Sequence, residues 1–234
     1  MQKFSQVPNP YVIEPPPLGA RIYQPGETLS FHMVLMGQAL RHLPLVAYAW
    51  QRALQRREGV GGGSAALSCV AYLPPVGPEQ ALLDGDELQA PAIQPVPPLA
   101  AEETVRLRFT TPLRLQKESK IQGHAMTARD LLMALARRYW LMAEFHQASQ
   151  PTVDFKELSA KADAIQFDGQ LQWRDWTRYS NRQQREMTLG GVVGSVELQG
   201  ESALFHPLLA AGQWLHVGKN ASFGLGQYTL ETLP

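Results

Sequence analysis

"VRLRFTTPLRL", residues 105–115, alternates apolar and polar side chains: Val105, Leu107 and Phe109 against Arg106, Arg108 and Thr110. A period of two marks a strand with one buried and one wet face. Downstream, Thr127 with Asp130 three residues on has the form of a helix cap. Leu131, Leu132, Leu135, Tyr139 and Met142 then supply an apolar stripe at helical spacing. AIQFDGQLQWRDW (164–176) and MTLGGVVGSVELQG (187–200) read as two more strands, joined by TRYSNRQQRE. SALFHPLLAAGQWL (202–215) reads as a short helix with Pro207 near its first turn, and QYTLETL as a last strand. The order over 105–233 is therefore β-α-β-β-α-β, the ferredoxin-like pattern of two helices on one face of an antiparallel sheet.

Upstream, six prolines within residues 8–25 surround PYVIE and keep it extended. TLSFHMVLM (28–36) reads as a strand ending at Gly37. Leu40, Leu43, Ala47, Trp50 and Leu54 recur at helical spacing, and Pro44 places the helix start near Leu43. The glycines of 59–63 stop this helix, and AALSCVAYL (65–73) reads as another strand that buries Cys69. Residues 74–101 are a proline-rich, acidic connector containing a short hairpin. Strand, strand, helix, strand is the same ferredoxin-like pattern without its first β-α unit. The expected fold is α+β, with tandem ferredoxin-like (RRM-like) domains at 1–101 and 102–234.

The 234 residues balance 21 basic against 21 acidic side chains, so net charge says nothing about nucleic acid. Their distribution says more, because no Lys or Arg lies between Arg57 and Arg106 and the basic residues concentrate elsewhere. The single cysteine excludes a disulfide framework and a cysteine zinc site. No apolar run reaches membrane-spanning length and no signal-peptide core is present, which reads as a soluble cytoplasmic protein.

Three features bear on chemistry. HVGKNASFGLGQY (216–228) is glycine-rich with one lysine, but its spacing and its place before a strand fit neither a Walker loop nor a Rossmann turn. It is either a plain connection or a loop that brings backbone amides and Lys219 to a phosphate. RDWTRYSNRQQR (174–185) interleaves Arg174, Arg178, Arg182 and Arg185 with Trp176 and Tyr179. That mixture suits phosphate contacts with base stacking, or else is a solvated hairpin tip. Arg137 and Arg138 add basic side chains on the helix that follows Thr127. None of the six histidines has a metal-ligand spacing, so neither a metal nor another cofactor is expected. His42, beside Arg41 at a strand-to-helix junction, and His216, at the start of the glycine-rich loop, are the candidates for proton transfer. His32 and His146 read as structural. No nucleophile elbow and no carboxylate cluster suggests a hydrolase or a two-metal nuclease.

Taken together, LHVGKNASFGLGQYTL, RYSNRQQREMTLGGVVGSVEL, RLRFTTPLRL and PNPYVIEPP…YQPGETLSFHMVLMGQALRHLP resemble the CRISPR precursor-RNA-processing endoribonucleases of the RAMP superfamily, from about Pro8 to the end. The resemblance implies tandem ferredoxin-like domains and metal-independent cleavage at the base of a repeat hairpin. In that reaction a 2′-hydroxyl attacks the adjacent phosphate and leaves a 2′,3′-cyclic phosphate. It also implies retention of the guide RNA among other subunits of an effector complex. Gly218, Lys219, Gly224 and Gly226 carry over as the RNA-contacting loop. Relatives begin with a further strand and helix, and that helix commonly holds the catalytic histidine. This chain begins at what reads as the second strand, from either a shortened start or a partial chain, so that histidine has no position assigned to it here. Catalysis then falls to Arg41 and His42, to His216, or to arginines alone as in type IV-like members. The alternatives are a non-catalytic guide-RNA-binding subunit and an unrelated interaction domain.

Overall fold

A computed structural model describes residues 7–16, 21–57, 62–84, 87–99, 104–147, 153–180 and 185–231. Two compact units divide the chain. One joins Met1–Val34 to Pro98–Pro234, and the other is Leu35–Pro97. Residues 1–34 thus cluster with the C-terminal half of the chain.

In chain order, β1 (Tyr11–Glu14) pairs with β2 (His32–Leu35), whose last residue begins the second unit. A 3-10 turn over Gly37–His42 leads into α1 (Leu43–Leu54), with Pro44 in the first turn where its missing N–H costs nothing. Short pairs follow: β3 (Ala71–Tyr72) with β4 (Gln80–Ala81), and β5 (Leu83–Asp84) with β6 (Glu87–Leu88). The stretch expected as a strand over 65–73 is regular only at Ala71–Tyr72, and Cys69 is exposed rather than buried.

The C-terminal half runs β7 (Thr104–Leu113), a small hairpin of β8 (Gln116–Lys117) and β9 (Lys120–Ile121), α2 (Ala128–His146) and α3 (Phe155–Asp163). It continues through β10 (Gln166–Arg174), β11 (Thr177–Ser180), β12 (Arg185–Thr188), β13 (Gly191–Gln199), α4 (His206–Leu215) and β14 (Tyr228–Glu231). The four-stranded sheet has the order β10-β13-β7-β14, antiparallel throughout, which is the ferredoxin-like order. The β8–β9 hairpin and α3 are additions that the β-α-β-β-α-β reading lacks.

The alternation read from 105–115 is realised. Val105, Leu107 and Phe109 are buried, while Arg106 and Arg108 point outward. On the outer face Arg106 lies directly opposite Glu197 on β13 and Glu231 on β14. Its Nε donates to Glu197 Oε1 at 3.0 Å, and Arg108 lies 3.6 Å from Glu231. Opposite charges across a strand pair stabilise by a few tenths to about 1 kcal/mol each. They also neutralise Arg106 and Arg108.

On the inner face the strands meet Leu131, Leu132 and Leu135 of α2 and Leu209 of α4, all fully buried. Each such side chain contributes about 1.5–3 kcal/mol relative to exposure. The Thr127–Asp130 capping box forms in full. The Tyr228 hydroxyl donates to the Leu209 carbonyl at 2.8 Å, and its ring leans on Phe109 with centroids 5.4 Å apart. This seam fastens β14 to α4, and β14 follows directly from the glycine-rich loop.

Candidate nucleic-acid interface

The glycine-rich loop is built by its own chain. Gly218 has φ +91°, and a Cβ there would lie 2.7 Å from the Arg114 carbonyl oxygen. Gly224 has φ +86°, and a Cβ would lie 2.7 Å from both the Ile13 carbonyl oxygen and Pro15 Cδ. Only glycine fits such left-handed positions against neighbouring backbone. The amides of Val217, Lys219 and Gly226 donate to Gly226, Arg114 and Pro112 at 3.1, 2.9 and 3.0 Å. Thr111 Oγ1 donates to the Gly224 carbonyl at 2.7 Å and accepts from the Gln227 amide at 2.9 Å. The glycines allow neighbouring protein backbone to approach, and these three amides are engaged within the protein. The loop presents the side chains of Lys219 and Phe223 to solvent.

The loop meets the arginine-aromatic hairpin at Arg114, a residue that sequence reasoning did not single out. Its backbone bridges to Gly218, and its guanidinium Nη1 donates to the Gly190 carbonyl at the foot of the hairpin. Partial burial lowers its pKa, and its Nε is buried with no hydrogen-bond partner among the described residues. Trp173, 48% exposed at the end of β10, lies against Gly190 and donates its indole N–H to Asp175 at 2.9 Å. Arg174 beside it is exposed. Arg178 and Tyr179 fall on β11 and Arg185 on β12, while Arg182 lies outside the described residues.

Two expected site residues are internal. Arg138 is half-buried, and its Nε donates to the Leu215 carbonyl at 2.6 Å, satisfying the C-terminal end of α4. Burial pulls its guanidinium down to about 10. Its neighbour Arg137, 100° further round the helix, is exposed. His216 is 0% exposed, so it faces no substrate. Its Nε2 lies 2.9 Å from Glu14 Oε1, and its Nδ1 lies 3.3 Å from the Leu225 carbonyl. Glu14 in turn lies 3.7 Å from Nδ1 of His32, whose side chain is 57% exposed. His32, read from sequence as structural, is the surface member of this group. His146 has the structural role expected, bonding the Pro8 carbonyl through Nε2 at 2.7 Å. Arg41 and His42 are exposed on the 3-10 turn of the other unit.

The basic side chains fall into two sets. Arg21, Arg106, Arg108, Lys117, Arg129 and Lys161 are paired with carboxylates. Arg41, Arg52, Arg56, Arg57, Lys120, Arg137, Lys156, Arg174 and Lys219 are exposed and have no ion pair among the described residues. Unpaired cations are the ones available to an anionic polymer. No cluster of three or more His, Cys, Asp or Glu that could hold a metal ion occurs among the described residues. None of their helices is long and apolar enough to cross a membrane.

A four-stranded antiparallel sheet in ferredoxin-like order, with helices on one face and a glycine-rich loop before its last strand, defines an α+β protein of the ferredoxin-like class. The sequence model for the CRISPR-associated endoribonuclease Cas6 matches residues 107–228, and one described as the AF_1859_N N-terminal domain matches residues 1–95. The chain belongs to the Cas6 family of CRISPR endoribonucleases. Its fold is similar to a product complex of Thermus thermophilus Cas6 (TTHB231), with a TM-score of 0.61 at 16% identity over 97% of this chain and 84% of that one. A product complex of Cas6 (TTHA0078) gives 0.54 at 18% identity over the same shares, 97% and 84%. A partial Cas6-RT-Cas1–Cas2 complex gives 0.56 at 16% identity over 94% of this chain and 38% of that one. No curated protein matches the sequence.

Proposed function

We propose that this protein binds CRISPR repeat hairpin RNA and cleaves the precursor without a metal ion, through attack of a 2′-hydroxyl on the adjacent phosphate. The observation that carries this reading is the segregation of its cations. Arg106 and Arg108 of β7 are neutralised by carboxylates, whereas Lys219, Arg174 and Arg137 have no ion pair among the described residues of the unit that carries the glycine-rich loop. These three hold phosphates, with Arg178, Tyr179, Arg182 and Arg185 of the hairpin gripping the same RNA. Gly218, Gly224 and Gly226 serve the interface by shaping the loop that displays Lys219. Arg41 and His42 are proposed for charge stabilisation and proton transfer. The mature guide stays bound and joins other CRISPR proteins in an effector complex, consistent with the association of a similar chain with Cas1 and Cas2.

Incubation of the full chain with its cognate repeat RNA in excess EDTA tests this. The expected outcome is one specific cut that leaves a 2′,3′-cyclic phosphate and a 5′-hydroxyl. Tight binding of RNA that stays intact would instead identify a non-catalytic guide-RNA-binding subunit. Absence of binding even at low salt, where phosphate contacts are strongest, overturns both readings.

A further inference from the structure

We infer that Trp173 is a stacking platform for an unpaired base of the bound RNA, next to its stem. This rests on the proposed RNA binding and adds to it a contact that takes a base rather than a phosphate. Trp173, Gly190, Arg114 and Lys219 all belong to the unit formed by Met1–Val34 and Pro98–Pro234.

The ring is exposed and yet held. Trp173 is the next-to-last residue of β10 and lies opposite Val192 of β13. Leu171, on the same face of the strand, is buried in the core, so the covered part of that face ends at Trp173, which is 48% exposed. Two contacts fix its orientation. The indole N–H donates to Asp175 Oδ1 at 2.9 Å. The ring also lies against Gly190, where a Cβ would come within 2.6 Å of Cζ2 and 2.9 Å of Cε2. Both atoms belong to the edge that carries the indole nitrogen, so one edge is anchored while the residue remains half open to solvent. A side chain already held in one orientation loses little freedom when a ligand settles on it.

Cations surround this ring through a short chain of backbone contacts. The carbonyl of Gly190 accepts from the Arg114 guanidinium, and the carbonyl of Arg114 accepts from the Lys219 amide at 2.9 Å. The foot of the β-hairpin is thereby tied to the loop that displays Lys219. Arg174, the next residue along β10, is exposed and has no ion pair among the described residues. An exposed aromatic among cations is the arrangement that holds single-stranded nucleic acid, with phosphates on the cations and a base on the ring. Inside a stem each base is covered on both faces by its neighbours, so the ring takes a base that lies outside the stem. Among the described residues between Phe145 and Leu204 no other large apolar side chain is exposed. A single ring without an apolar patch around it favours a base over a protein partner.

The test measures binding of the full chain to repeat hairpin RNA with unpaired flanks, and to the same hairpin trimmed to its stem and loop. Trp173→Ala is expected to weaken binding of the flanked RNA by about 5- to 150-fold, the range for one lost stacking contact. The slope of log K against log salt should stay the same, because no phosphate contact is removed. Trp173→Phe keeps an aromatic face and should retain most of the affinity. The trimmed hairpin should bind wild type and Trp173→Ala equally. Wild-type chain that binds neither RNA would remove the RNA-binding reading itself. Wild-type binding that Trp173→Ala matches would overturn only the role of Trp173, and an accompanying change of oligomeric state in analytical ultracentrifugation would place the ring in a protein contact instead. Equal losses for Trp173→Phe and Trp173→Ala would overturn stacking, since the two share only the missing indole N–H. A Trp173→Ala loss that persists with the trimmed hairpin would overturn the assignment to an unpaired base.

Discussion

Nε2 of His216 lies 2.9 Å from Oε1 of Glu14, two residues 202 positions apart in the chain. The contact ties the first strand to the start of the glycine-rich loop. Truncating one partner of such a pair leaves the other buried or nearly so without compensation. His216→Ala is therefore expected to lower the unfolding free energy by about 2–4 kcal/mol, part of it from the cavity. Urea unfolding monitored by tryptophan fluorescence measures this, and a change below about 0.5 kcal/mol would show that the pair contributes little to stability.

Loop architecture and RNA contact separate by substitution. Gly224→Ala forces a left-handed φ and a Cβ 2.7 Å from the Ile13 carbonyl oxygen, so it should destabilise the fold by about 1–3 kcal/mol. Lys219→Ala, at an exposed position, should leave the melting temperature unchanged and weaken RNA binding. Its signature is a slope of log K against log salt that is shallower by about 0.7–0.9. An unaltered slope would exclude Lys219 from the phosphate contacts.

The neighbouring arginines of α2 should behave in opposite ways. Arg138→Ala removes a half-buried side chain and the donor to the Leu215 carbonyl, for an expected loss of about 1–3 kcal/mol of stability. Arg137→Ala should alter RNA affinity and its salt dependence with no change in stability. Paired melting and filter-binding measurements on the two variants distinguish the roles, and an exchange of these outcomes would reverse the assignment.

Alkaline pH should act through Tyr228. Complete burial raises its hydroxyl pKa far above the usual value near 10. The folded chain then keeps a proton that the unfolded chain releases, so stability is whole below about pH 10 and falls as pH rises beyond it. Tyr228→Phe lacks this titration and loses only the bond to Leu209, about 1 kcal/mol. The stability advantage of wild type over Tyr228→Phe should therefore shrink between about pH 9 and pH 11. A constant difference across that range would contradict the assignment.

Much of the C-terminal fold was legible because its signals are local. The alternation of β7, the Thr127–Asp130 cap and the proline at the start of α4 each involve residues within a few positions of one another. Their order is enough to name the ferredoxin-like sheet. The helix Phe155–Asp163 escaped notice because it is short, although Asp154 caps it and Leu158 and Ala162 form its buried face. Cys69 was expected inside on composition alone, but Ala71–Tyr72 is too short a strand to bury its approach.

The site residues divide along the same line. That Lys219 and Arg174 are basic and sit by a glycine-rich loop and a hairpin is written in the chain. That Arg114 joins those two features, that Arg138 turns inward while Arg137 faces water, and that His32, Glu14 and His216 converge is not. Such relations join residues up to 202 positions apart, or turn on 100° of helix rotation. Periodicity within a segment reports which side of an element is buried. Only the packing of distant elements decides which donor meets which acceptor, and so which histidine is enclosed and which is left at the surface.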